Sequence, residues 1–115
     1  MNLHLWANIT EEVLNPTLTR KMISGEQMTL AQIRIRKGGI VAWHQHPNEQ
    51  ISTLVEGRAI FRIGEEEQTL SPGGSVIIPP NVSHSVEALE DVFAWDVFSP
   101  PREDWITGTD TYLRK

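Results

Sequence analysis

Three of the four histidines in this 115-residue chain fall in two short stretches, His44-x-His46 and His84. An imidazole offers a nitrogen lone pair that suits Mn, Fe, Ni, Cu and Zn alike. Residues two apart in an extended run present their side chains on one face, so His44 and His46 point the same way. Gln50 shares their parity and Glu49 has the opposite one, although the intervening Pro47-Asn48 loop can shift the count. His84, within SVIIPPNVSHSV, is the fourth candidate ligand. The chain has no cysteine, so a metal held here takes only nitrogen and oxygen. Three neutral imidazoles and a neutral amide leave a divalent ion at its full charge, which attracts anions and acidifies bound water more than a carboxylate-ligated ion would. The bland alternative is three hydrogen-bonding barrel histidines with no metal.

A second constellation lies near the end of the chain. Asp96 and Phe98 are two apart in a β-like run and Arg102 follows after Ser99-Pro100-Pro101. A carboxylate pointing into an apolar barrel can give or take a proton, and a guanidinium can grip a substrate carboxylate with two parallel hydrogen bonds. An Asp96–Arg102 ion pair closing the end of the barrel is the structural alternative. Ser83 and Ser85 flank His84, but adjacent strand residues point oppositely and no acid completes a hydrolase triad.

The elements that must position these residues are short strands. Period-two patterning runs over residues 17–24 and 28–36, with Gly25-Glu26 as a turn between them. In the second run Thr29, Ala31, Ile33 and Ile35 share one face, and Met28, Leu30, Gln32, Arg34 and Arg36 the other; Gln32, Arg34 and Arg36 are expected on a solvated face, with lining of the barrel as the alternative. Residues 40–43 lead into the histidine hairpin. Residues 51–55 and 59–63 read as a hairpin around Glu56-Gly57-Arg58, where glycine makes positive φ cheap. Residues 68–70, 75–78, 84–88 and 92–98 complete the set, punctuated by Pro72-Gly73-Gly74 and Pro79-Pro80-Asn81. Glu65-Glu66-Glu67 is a solvated tip. Leu3, Leu5 and Ala7 alternate with His4 and Trp6 as a further short strand, with His4 at the surface. Ser99 is a candidate N-cap for one helical turn, with proline at its first position. Residues 107–115 are a short strand or loose. Each tryptophan, at 6, 43, 95 and 105, is expected in the core or an interface. Many short strands at turn-limited spacing signal an all-β sandwich or barrel.

Composition narrows the partners. A chain of this length has room for one domain, residues 1–115, with one modest core. Net charge is −5 and no basic block is present, which argues against nucleic acid. The first ten residues carry neither a basic nor an apolar signal region, and no apolar run approaches the ~20 residues of a membrane span. A cytoplasmic protein that does not engage the membrane is expected, for which the acceptor tripeptides at Asn8 and Asn81 are idle.

The spacing also carries a resemblance. Gly38, five residues, His44-x-His46, three residues, Gln50, six residues and Gly57 resembles the first signature of the cupin superfamily, with glutamine in the usual glutamate position. Gly73, five residues, Pro79-x-Asn81, two residues and His84 resembles the second, with Asn81 in a glycine position and Ala88 replacing the closing asparagine. Asparagine tolerates the left-handed backbone that glycine would serve there. The resemblance implies an all-β, single-domain cupin jelly-roll barrel with a short C-terminal helical turn. Within it His44, His46, Gln50 and His84 would hold one divalent transition metal: Ni, Mn, Fe or Zn. Asp-x-Phe, three residues, Arg after this metal set is similar to the small cupins of the KdgF type, which linearise 4,5-unsaturated uronates from pectin and alginate breakdown. That likeness implies a small anionic substrate, a sugar acid, with Asp96, Phe98 and Arg102 as its active-site residues, and it favours a homodimer. The exposed edges of so small a barrel, and above all residues 3–7, favour pairing too. The same ligand set also permits a quercetinase-like dioxygenase, and a non-catalytic binding or sensing barrel is the third reading.

Overall fold

Alternation of apolar and polar residues becomes strand wherever a barrel wall can bury one face. The computed structural model describes residues 1–114 and contains strands β1 (Glu12–Asn15), β2 (Leu18–Ser24), β3 (Thr29–Ile35), β4 (Ile40–His44), β5 (Glu49–Glu56), β6 (Ala59–Ile63), β7 (Glu66–Leu70), β8 (Ser75–Ile78), β9 (His84–Ala88) and β10 (Val92–Ser99). They form two antiparallel sheets, β1-β2-β3-β10-β5-β8 and β4-β9-β6-β7, that close face to face as a jelly-roll barrel. Inward residues alternate as the period demands: Thr29, Ala31, Ile33 and Ile35 of β3 are buried, while Arg34 on the opposite face is exposed. Leu54, Ala59, Phe61, Val86, Ala94 and Phe98 join them in one core. No helix among the described residues is long and apolar enough to cross a membrane.

Five local expectations are corrected. Residues 3–7 form no strand: the segment is irregular up to a 3-10 turn, Trp6–Asn8, whose Trp6 ring packs edge-on to Trp95 at 5.1 Å between centroids. Glu56-Gly57-Arg58 is not a hairpin loop, because β5 and β6 belong to different sheets; it is a corner where the chain crosses the barrel. Gly57 is needed there twice over, since its φ is 80° and a Cβ would lie 2.1 Å from the Asp91 carbonyl oxygen. The histidine segment is likewise a crossing, from β4 in the small sheet to β5 in the large one. Ser99 closes β10 and caps nothing; the helical turn α1 (Glu103–Thr107) starts later, with Arg102 in the cap position. Finally, the tail turns into a 3-10 helix, Thr111–Arg114, and Lys115 lies outside the described residues.

The C-terminal segment closes one end of the barrel. Trp105 and Leu113 enter the core, and the Trp105 ring packs against two guanidiniums, with Arg20 Cζ 4.2 Å and Arg102 Cζ 4.3 Å from its centroid. Arg20 is itself buried and donates to Asp110 (2.8 Å) and Glu12 (2.6 Å). Asp110 is fully buried and tied to Arg114 as well, so the cap is held by charge as well as by apolar contact.

Candidate metal centre

His44 ends β4 and stands directly opposite His84, the first residue of β9, in the antiparallel ladder. Their ring centroids are 4.2 Å apart. His46 lies past the end of β4, so the strand period alone does not aim it. The loop does: Asn81 N–H donates to the His46 carbonyl at 2.8 Å, tying the two histidine segments together, and the His46 ring comes within 4.9 Å of His84. Asn81 manages this with φ 62°, the left-handed backbone expected of it in a glycine position. One ring nitrogen from each of His44, His46 and His84 lies within 4.8 Å of the others.

The hydrogen bonds decide which nitrogens face one another. The Nδ1 atoms of His44, His46 and His84 lie 2.7, 3.0 and 2.8 Å from the carbonyl oxygens of Ala42, Asn48 and Val82. A carbonyl oxygen has no proton to give, so each Nδ1 carries the hydrogen and donates it. Each neutral ring is left with a bare Nε2 lone pair. His84 Nε2 is buried with no hydrogen-bond partner. His46 Nε2 faces Gln50 Oε1 at 3.0 Å, and the Gln50 amide is oriented by its NH2 donating to Ser52 Oγ at 2.9 Å. Two acceptors facing each other, and a buried lone pair with nothing to accept, are arrangements that a shared cation makes favourable. The backbone carbonyls that fix the tautomers are the outer support a metal-binding histidine needs. The residues therefore fit a divalent ion. Gln50 is buried beside His46 and Glu49 is exposed.

Electrostatics agree. Burial lowers His44 to about 3, with the neighbouring His84, His46 and Arg102 pushing the same way. Burial, then the charge of Arg102, lowers His46 to about 4, and burial lowers His84. The lone pairs thus stay available in neutral and mildly acidic solution.

Asp96 points inward from β10 between Ala31 of β3 and Ser52 of β5. Its carboxyl opens onto a narrow cavity of about 50 Å³ shared with His44, Gln50, His84, Phe98 and Arg102. Burial raises it to about 6, against the opposing pull of Ser52 and Arg102. It forms no ion pair with Arg102. The Arg102 fork instead holds Asp104, through Nε at 3.0 Å and Nη2 at 2.8 Å, and Nη2 also donates to the Tyr112 hydroxyl. Phe98 is 1% exposed, lying edge-on to His46 and Trp105 under the Arg102 guanidinium, so it is a wall of the site rather than an open platform.

Three contributors escaped the sequence reading. Asn48 is buried, accepts the His46 Nδ1 proton on its carbonyl, and donates its amide to the Pro100 and Pro101 carbonyls at 2.5 and 3.1 Å. Asp104 engages Arg102. Tyr112 stacks on His44, centroids 4.5 Å apart and planes 23° from parallel. Only Asn48 left a signal, as a polar residue in the ligand loop; the other two arrive through a chain reversal that has no periodicity.

The family model described as the cupin domain matches residues 31–96. Among solved structures, KdgF from Halomonas sp. is 26% identical with a TM-score of 0.85, covering 91% of this chain and 98% of that one. An RmlC-like cupin from Shewanella frigidimarina is 26% identical with a TM-score of 0.86, covering 91% and 96%. An uncharacterized protein of Methanocaldococcus jannaschii, MJ1618, is 27% identical over 86 residues, which span 74% of this chain and 66% of that protein. Oxalate decarboxylase of Bacillus subtilis, 18% identical with a TM-score of 0.76 over 82% of this chain and 28% of its own, shares the fold.

Proposed function

The chain belongs to the cupin family, and from that premise we propose that it is a metal-dependent enzyme acting on a sugar acid, linearising 4,5-unsaturated uronates. The observation that carries this reading is the meeting, in one narrow cavity, of two of the three clustered imidazoles, His44 and His84, with a carboxyl whose proton affinity is tuned to about 6. A group of that affinity exchanges protons at neutral pH, as general acid–base catalysis requires. The resemblance of Asp96, Phe98 and Arg102 to the KdgF pattern supplies the substrate class, and the likeness to the Halomonas protein over nearly the whole chain supports it.

A divalent ion held by His44, His46, His84 and Gln50 would supply Lewis acidity and positive charge for an anionic substrate. The protein's own residues do the rest. Asp96 takes the proton of the anomeric hydroxyl as the bond from C1 to the ring oxygen breaks, which leaves an aldehyde at C1 and an enolate at C5. It then delivers that same proton to C4 as the enolate becomes the ketone. The reaction is an isomerisation and consumes nothing else. Arg102 balances the carboxylate charge, and Phe98 with Trp105 holds the guanidinium in place.

The test is incubation with unsaturated monouronates, followed by loss of ultraviolet absorbance and appearance of the keto acid. Asp96→Asn is expected to keep the fold and metal content while lowering turnover by about 100-fold or more. Full activity in Asp96→Asn refutes the proton role. Oxygen uptake in place of isomerisation identifies a dioxygenase.

A further inference from the structure

A guanidinium grips a carboxylate along one of two edges, Nε with Nη2 or Nη1 with Nη2. In Arg102 both edges are engaged. Asp104 occupies the first, and the Tyr112 hydroxyl takes the second hydrogen of Nη2, which closes the other. Only the Nη1 hydrogens remain, and they diverge. The Tyr112 ring also lies flat on His44 and lines the cavity beside the metal-binding nitrogens. That cavity, about 50 Å³, has room for a water or two, whereas pockets for small organic ligands run to roughly 300 Å³ and more.

We propose that Tyr112 is the specificity gate of the site: its hydroxyl stands where one oxygen of a substrate carboxylate binds Arg102, and only a ligand bearing a carboxylate displaces it. The inference rests on the sugar-acid reading and assigns that site its entry rule. Asp104 stays in place. It forms a bidentate, partly buried ion pair, whereas Tyr112 offers one neutral hydroxyl, which accepts from Arg102 and donates to Asp104 Oδ2 at a long 3.3 Å, the weaker partner to exchange. Tyr112 sits on the short 3-10 helix Thr111–Arg114, so swinging it out moves one turn of chain and leaves the ten strands alone. The opened space joins the cavity over His44, bringing the incoming carboxylate between Arg102 and the metal centre. A neutral sugar can only exchange one neutral hydroxyl for another on the guanidinium and gains nothing by opening the gate, whereas a carboxylate brings a charge-assisted bond.

The experiment uses the metal-loaded full chain with D-galacturonate as acid probe and D-galactose as neutral probe, measured by calorimetry, with hydrogen exchange followed over residues 103–114. Tyr112→Phe removes the competing hydroxyl and is expected to bind galacturonate about tenfold more tightly, the scale of one hydrogen bond to a charged group. Tyr112→Ala, which also clears the space over His44, is expected to bind it at least as tightly as Tyr112→Phe. Galactose should gain nothing in either variant. In the parent, galacturonate and not galactose should raise exchange in the terminal segment. Galacturonate affinity that is unchanged or weaker in both variants, or absent from every form, overturns the gate. Equal gains for both sugars overturn it too, since the site would then be opened by size alone. Unsaturated-uronate turnover in the parent without a Tyr112 effect leaves the reaction standing and the gate refuted. A Tyr112 effect on galacturonate without turnover in any form does the reverse.

Discussion

At the scale of single residues the site is a set of opposed proton affinities. A folded chain stripped of metal holds His44 near 3 and His46 near 4, whereas an unfolded chain protonates histidine near 6.5. Between those values acid feeds protons to the unfolded state only, so the histidine contribution to stability is complete above about pH 6.5 and is lost as pH falls toward 3. Asp96 works in the other direction. Its folded value, about 6, lies above the ordinary 3.8, so its contribution is complete below 3.8 and is lost as pH rises through 6. The chelated parent is therefore expected to melt several degrees lower at pH 5 than at pH 7.5, since three histidines outweigh one carboxyl. Asp96→Asn should raise the melting temperature at pH 7.5 and steepen the fall between 6.5 and 4. Thermal scans of both proteins in chelator at four pH values check this; a parent that gains stability on acidification refutes the tautomer and burial argument together.

At the scale of elements, the sequence disclosed strands better than their partners. Thr29, Ala31, Ile33 and Ile35 alternate with polar neighbours because one side of β3 meets the core, and that constraint is visible in the chain itself. Glu56-Gly57-Arg58 reads the same whether it folds a strand back on its neighbour or carries it to the opposite sheet; the difference lies in Asp91, which packs on Gly57 from 34 positions away. The clustering of His44, His46 and His84 was legible in their spacing, although parity did not carry it: His46 lies past β4 and is aimed by its loop. Asp104 and Tyr112 were not legible, because the capping segment is held by side chains that recur with no period. Its anchor is the Arg20–Asp110 pair, in which neither side chain is exposed. Removing one partner of such a pair strands a buried charge, so Asp110→Asn is expected to cost roughly 3 to 5 kcal/mol and to loosen residues 103–114 first. The exposed Arg58–Glu90 pair, with similar geometry at 2.9 Å, should give less than about 1 kcal/mol when Arg58→Ala breaks it. Urea titrations of the two variants check the contrast, and equal losses would mean that the cap is not held by Asp110.

At the scale of the whole molecule, one feature belongs to neither site nor core. Ile23 of β2 pairs with Leu30 of β3, Leu30 with Val97 of β10, Val97 with Ile51 of β5, and Ile51 with Ile77 of β8. Five aliphatic side chains thus form one transverse row on the outer face of the large sheet, and at its far end Ile77 is 62% exposed. The adjoining row is partly covered by the N-terminal segment, which lays Trp6 on Trp95 and takes the Lys21 ammonium on its backbone, yet leaves Leu3 and Leu5 in solvent. A straight apolar row is complementary to its own image under a two-fold rotation, and two-fold pairing is the commonest way to cover such a surface. We therefore expect a homodimer formed through this face and not, as the alternation of residues 3–7 suggested, through an added N-terminal strand. Light scattering at micromolar concentration should give twice the 13.0 kDa chain mass. Ile51→Glu should halve it while leaving metal content unchanged, because Ile51 points away from the barrel interior that Gln50 and Ser52 face. A parent that runs as a single chain, or an Ile51→Glu variant that stays paired, excludes this face as the interface.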